Sequence, residues 1–226
     1  MTILCLIGPS GSGKSTIANE LETFGIPQIV SYTTRPMRPG EEQGVGHHFI
    51  TDIEAEELLR TQRPLAYTVF GGYRYFALFS QIKFTDRKND ILTYVIDEEG
   101  YFDLHGELEA NANRLHYEYG FPKTEPVQLL PISIDRADVT NVDAHRMARD
   151  LGRVELPEGT FKICIDNDAH DAASLRAWSK DFAEAIRAYL TICTPDKMPP
   201  ADHTIRTSER GVAIIIAAIN NALHRQ

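Results

Sequence analysis

Apolar residues come in short runs separated by longer stretches with helical spacing. Residues 2–7, 28–31, 91–97, 127–134 and 161–166 are rich in Val, Ile, Leu and aromatic side chains and read as strands. Residues 14–24, 100–119 and 172–190, the last carrying the single tryptophan Trp178, have the spacing of helices with one apolar face. Strand and helix alternate, which predicts an α/β fold with a parallel five-stranded sheet flanked by helices.

Two stretches break this rhythm. Residues 32–88 open with a polar loop rich in Pro and Gly and read as a small mixed α/β insertion. Within it, Thr51-Asp52-Ile53-Glu54 is a capping-box pattern that starts a helix running to about residue 62. Gly71-Gly72, between apolar runs at 65–70 and 73–78, signals a hairpin. Residues 194–210 contain Pro195, Pro199 and Pro200 and read as a linker. Beyond them, Val212, Ile214, Ile215, Ile216, Ile219 and Leu223 make residues 211–224 a helix apolar around much of its circumference. Such a helix needs cover, from its own domain or from a second copy in a homodimer.

Composition changes this picture little: 226 residues, 42% hydrophobic and 24% charged, suffice for a core without disulfides or structural metal. Cys5, Cys164 and Cys193 are too scattered for a disulfide framework or a zinc site. With no leader pattern and no long apolar span, the expected location is the cytoplasm. Charge changes it more. Twenty-three Lys and Arg against 32 Asp and Glu give a net −9, which argues against nucleic-acid or anionic-membrane partners unless the cations gather locally.

One such gathering follows the first strand. Gly8-Pro9-Ser10-Gly11-Ser12-Gly13-Lys14-Ser15-Thr16 fits G-x-x-x-x-G-K-[ST] in the strand-to-helix context the motif requires. The glycines let successive N–H groups turn inward, and the positive end of the helix adds to their field. Lys14 brings a mobile charge to the β and γ phosphates. Ser15 offers a hydroxyl to Mg²⁺, with Thr16 as the alternative. The motif points to ATP or GTP without choosing between a kinase, a GTPase and a motor. About twenty residues on, Arg35 and Arg38 stand three apart among hydroxyl residues, a setting suited to a second phosphate.

From the phosphate loop through Val30-Ser31-Tyr32-Thr33-Thr34-Arg35-Pro36-Met37-Arg38-Pro39-Gly40-Glu41, then Gly44 and His48-Phe49, the chain resembles the guanylate kinase family. The resemblance implies a P-loop kinase core at 1–31 and 89–193, an acceptor-nucleotide insertion at 32–88 and a mobile lid. It also implies ATP- and Mg²⁺-dependent phosphoryl transfer to a nucleoside monophosphate. Carried over by position, Arg35, Arg38 and Tyr75 would hold the acceptor's phosphate, and Ser31 would approach its base. Asp97 would lie near the transfer site and order Mg²⁺ through water, the alternative being a plain helix cap. His47 stands where the family usually has a phosphate-contacting tyrosine and keeps a hydrogen-bond donor. Ala66 replaces a glutamate that accepts from the guanine edge, Ala77 replaces a serine, and Val95 replaces the first carboxylate of a strand-end pair. The guanine-reading set is largely dismantled.

Residues 135–153 carry Arg136, Arg146, Arg149 and Arg153 among acids. Closing a lid there would bring arginines onto the phosphates and exclude water. Arg146 and Arg149 share a helical face and are the preferred catalytic pair beside Lys14; a surface helix salt-bridged through Asp143 and Asp150 is the alternative. Two other functions stay open: a guanylate-kinase-like protein-binding module without turnover, and a kinase for sugar phosphates.

Overall fold

The computed structural model describes residues 1–8, 12–82, 91–110, 127–136, 161–165, 172–192 and 204–206. In chain order the elements are β1 (Thr2–Ile7), α1 (Lys14–Thr23), β2 (Gln28–Ile29), β3 (Ser31–Thr33), β4 (His47–Phe49), α2 (Asp52–Thr61), β5 (Pro64–Phe70) and β6 (Tyr73–Leu78). A 3₁₀ turn at Phe79–Gln81 precedes β7 (Ile91–Val95), α3 (Glu98–Ala110), β8 (Gln128–Arg136), β9 (Phe161–Ile165), α4 (Ala172–Ile192) and β10 (Thr204–Arg206).

A strand that is apolar along its whole length has no side to offer water, and β1 is buried throughout. It lies between β7 and β8 in a sheet ordered β10-β9-β8-β1-β7-β2, every pairing parallel. The period of two sends Leu4 and Leu6 to one face, where they meet Ile17 and Leu21 of α1 and Phe182 and Ile186 of α4. Ile3, Cys5 and Ile7 go to the other, against Tyr101, Leu104 and Leu108 of α3. Cys5 is a buried small hydrophobe as expected, and burial pushes its thiol pKa up.

Among the described residues the main sheet has a strand at each of the five expected places and a sixth beside them. Three residues from the segment read as a linker, Thr204–Arg206, pair with Lys162–Cys164 of β9. An exposed strand edge offers unpaired N–H and C=O groups, so a short polar segment docks through its backbone without an apolar signature. The run expected as one strand over 28–31 also divides: Gln28 and Ile29 join the main sheet, whereas Ser31 starts a second one.

That second sheet, ordered β4-β3-β6-β5, forms the insertion. The expected capping box starts α2: Thr51 Oγ1 accepts from Glu54 N–H at 3.2 Å, and Glu54 Oε2 accepts from Thr51 N–H at 2.7 Å. Gly71 and Gly72, with φ of +59° and +82°, make the hairpin turn between β5 and β6. α2 covers one side of this sheet through Ala55, packed with Phe76 and Leu78. Leu65, Ala66, Ala77 and Phe79 pack into the α3 side of the main core, so the insertion is seated beside the C-terminal ends of β1 and β7. The apolar helix expected at 211–224, and with it the dimer contact, lies outside the described residues. No helix among the described residues is long and apolar enough to cross a membrane.

Candidate active site

The main sheet and the insertion enclose a cleft of about 640 Å³. Of the residues singled out in the sequence, Gly8, Lys14, Ser15, Ser31, Arg35, Arg38, His47, Tyr75 and Asp97 all lie in its wall. Ser12, Gly13 and Thr16 lie in the loop and the first helical turn without joining the wall. Ser10, Gly11, Arg146 and Arg149 lie outside the described residues, and β8 runs to Arg136, two residues past its expected end.

At one end of the cleft, β1 hands the chain to Gly8, where a Cβ would come within 2.1 Å of the Ile134 carbonyl oxygen. Only glycine permits that approach. Gly13, with φ +95°, caps α1 and turns the backbone into it. Lys14 Nζ donates to the Gly8 carbonyl at 2.7 Å, folded across its own loop. Three buried side-chain atoms among the described residues lack a hydrogen-bond partner: Ser12 Oγ, His47 Nδ1 and Ser179 Oγ. The first two belong to the phosphate loop and the arginine site. Orphaned polar atoms are costly in a finished core and expected where a polar ligand completes the set.

The arginine site is built by a stapled loop. Gln43 brackets Phe49, accepting its N–H at 2.8 Å and donating to its carbonyl at 3.1 Å, which fixes β4 parallel to β3 with Ser31 opposite His47. Arg35 is 7% exposed. It forms a bidentate pair with Glu41 at 2.8 and 3.0 Å, donates to the Pro36 carbonyl at 2.9 Å and lies 5.1 Å from the centre of the Phe49 ring. Glu41 also accepts from the Arg38 N–H at 2.7 Å, so one carboxylate orders both arginine segments. Those bonds, Arg35 first, hold Glu41 down to about 2.

His47 packs edge-on to Tyr75 and Phe49, at 5.7 and 5.9 Å between ring centres. Burial, with the Arg35 charge next in importance, lowers its pKa to about 4, so the imidazole is neutral near pH 7. The unfolded chain takes up this proton below about 6.5, whereas the folded one does not until about 4. Stability present above 6.5 is therefore lost as pH falls through that window, by roughly 1–2 kcal/mol at pH 5. A smaller loss of thermal midpoint between pH 7 and pH 5 is expected for His47→Gln than for the parent. Equal losses would contradict the assignment.

Asp97 does two things at once. Its Oδ1 accepts from Gly100 N–H at 2.7 Å, capping α3, and the residue also lies in the cleft wall. Gly100 keeps this corner open: a Cβ there would sit 2.9 Å from the Ile96 side chain and 3.0 Å from Asp97 Oδ1, so a larger residue would displace one of them. Of the two alanines at positions where the resemblance implies base-contacting side chains, Ala66 lies in the cleft wall and is 2% exposed, and Ala77, paired with it across the strands, is fully buried. Glu41, Tyr94 and Glu98, not singled out in the sequence, share the wall. Three cations there face four carboxylates, Glu41, Glu42, Asp97 and Glu98, so the cleft is a patterned site, not a uniformly basic one.

Residues 1–120 match the guanylate kinase family model. The chain is 42% identical over 210 residues to a guanylate kinase of Streptococcus pyogenes, covering 87% of this chain and 92% of that protein. To a guanylate kinase of Schizosaccharomyces pombe it is 29% identical over 200 residues, covering 84% and 89%. The crystal structure of guanylate kinase from Anaplasma phagocytophilum shares the fold, with a TM-score of 0.54, 22% identity and 84% of each chain covered. Similarity that runs through the phosphate loop and the arginine strand and on across most of both partners goes well beyond a shared nucleotide motif, and the chain belongs to the guanylate kinase family of nucleoside monophosphate kinases.

Proposed function

We propose that the protein transfers the γ-phosphoryl group of ATP to a ribo- or deoxyribonucleoside monophosphate whose base is selected differently from guanine. The observation that carries this is the single cleft joining Lys14 and Ser15 to Arg35, Arg38 and Tyr75, with Ala66 at the end where a base would lie. Donor phosphates sit on the loop between Gly8 and Lys14, the acceptor's phosphate between the two arginines, and His47 serves as a neutral hydrogen-bonding group beside it. Transfer needs alignment and spread positive charge more than covalent chemistry, so no general base enters.

Mg²⁺ supplies charge neutralisation on the donor phosphates when bound. Ser15 and Asp97 give it hard oxygen donors on the same wall. Two protein oxygens are enough for an ion that takes most of its ligands from phosphate and water.

The altered base follows from magnitude. A buried site built to hydrogen-bond a substrate group rejects its analogue by about 10⁴-fold or more, whereas apolar shape alone gives about 10–200-fold. Two alanines leave only the second kind of selection at their positions. A coupled assay with ATP, Mg²⁺ and a panel of nucleoside monophosphates and ribose 5-phosphate tests the proposal. Exclusive, strong turnover of GMP overturns the altered base, and turnover of ribose 5-phosphate alone overturns the nucleotide. Arg38→Ala is expected to raise the acceptor KM at least about 10-fold with the ATP KM unchanged; an unchanged acceptor KM and kcat would remove Arg38 from the site.

A further inference from the structure

Ala66 and Ala77 pair in register across β5 and β6 and pack into the same buried cluster as Tyr94 of β7. Two methyl side chains take little of the space there, and a phenol ring joins them. Tyr94 is 2% exposed yet lies in the cleft wall beside Ser31. Its oxygen accepts from Ser31 Oγ at 3.5 Å, a long bond that is cheap to rearrange. At that distance either hydroxyl can turn to donate, so the phenol proton is available to a ligand in the cleft. Burial disfavours the phenolate and raises the Tyr94 pKa, outweighing the Ser31 hydroxyl, which acts in the opposite direction. The group therefore remains a neutral donor at any working pH.

We propose that Tyr94, backed by Ser31, reads the acceptor's base, donating its O–H to a carbonyl oxygen or an unprotonated ring nitrogen on the base edge. This rests on the nucleoside monophosphate kinase reading above. It differs from a carboxylate reader in sign: a carboxylate accepts from adjacent N–H groups, whereas Tyr94 supplies a proton. A base that presents an acceptor to the inner wall is bound, and one that presents two N–H donors there leaves them unpaired at a cost of order 10-fold or more.

Tyr94→Phe keeps the ring, and so the packing with Ala66 and Ala77, and removes only the hydroxyl. The test compares kcat/KM of the parent and Tyr94→Phe, with ATP and Mg²⁺, for the best nucleoside monophosphate of the panel and for benzimidazole riboside 5′-monophosphate, a purine-shaped acceptor without the six-ring nitrogens and substituents. The substitution is expected to lower kcat/KM for the nucleotide about 10- to 100-fold and to leave the benzimidazole acceptor and the ATP KM unchanged, with the thermal midpoint retained. Loss by the same factor for both acceptors, or no loss for either, overturns the role of Tyr94. Absence of turnover with every monophosphate in the parent itself overturns the underlying kinase reading instead. Ser31→Ala provides a second variant: a smaller loss confined to the nucleotide supports the hydroxyl pair, and an equal loss for both acceptors counts against it.

Discussion

Lys14→Ala is expected to cut turnover by at least about 10³-fold while the protein remains folded. The side chain opens α1 at the mouth of the cleft and donates to the Gly8 carbonyl; the apolar cluster beneath it is made by Ile17, Ala18 and Leu21 of the same helix. Alanine is a good residue for the first turn of a helix, so the thermal midpoint should change little. What disappears is the positive charge that, on the proposed reading, would leave the Gly8 carbonyl for the donor phosphates, in a site where charge spreading is most of the chemistry. Lys14→Arg should not restore the rate, because a planar fork does not replace a compact ammonium that reaches the Gly8 carbonyl. Steady-state rates with saturating ATP and acceptor, beside a thermal melt of the same preparation, decide the matter. A folded Lys14→Ala protein with near-parent turnover would remove the phosphate loop from the reaction.

The phosphate loop was legible because its chemistry is contiguous: Gly8, Gly13, Lys14 and Ser15 carry their meaning in spacing alone. Arg35 and Arg38 were legible for the same reason. Their partner was not. Glu41 looks like one acid among 32 Asp and Glu, and only the turn that brings its carboxylate under both arginine segments distinguishes it. β4 carries no strand signal in its sequence, because His47-His48-Phe49 has neither β-branched residues nor alternation, and its place is set by parallel pairing to β3 and by the Gln43 staple. Tyr94 was hidden differently. Inside the run Ile91–Val95 it reads as core, and it is core; its second role appears only when β3 brings Ser31 to its hydroxyl across 63 residues of chain. The net charge of −9 was likewise silent about a cleft where Lys14, Arg35 and Arg38 alternate with carboxylates.

Arg35→Ala should damage both function and stability, and acid separates the two. The guanidinium loses a bidentate pair with Glu41, a bond to the Pro36 carbonyl and its place against Phe49. Breaking a buried pair commonly costs about 3–5 kcal/mol. Here the Glu41 side chain is 29% exposed and keeps the Arg38 N–H, so about 2–3 kcal/mol is expected near pH 7. Acceptor kcat/KM should fall about 10²–10³-fold, with Arg35→Lys intermediate because an ammonium cannot grip two oxygens in one plane. The pH dependence follows from the sign of the Glu41 shift. Its folded value of about 2 lies below the ordinary 4.5, so the pair stabilises the protein fully above 4.5, and that stability is lost as pH falls towards 2. Denaturant melts of parent and Arg35→Ala at pH 7 and pH 3 should therefore show a gap that narrows in acid. A gap of the same size at both would mean that Glu41 is not what Arg35 holds, and that the arginine is positioned for the acceptor by Phe49 and the Pro36 carbonyl alone.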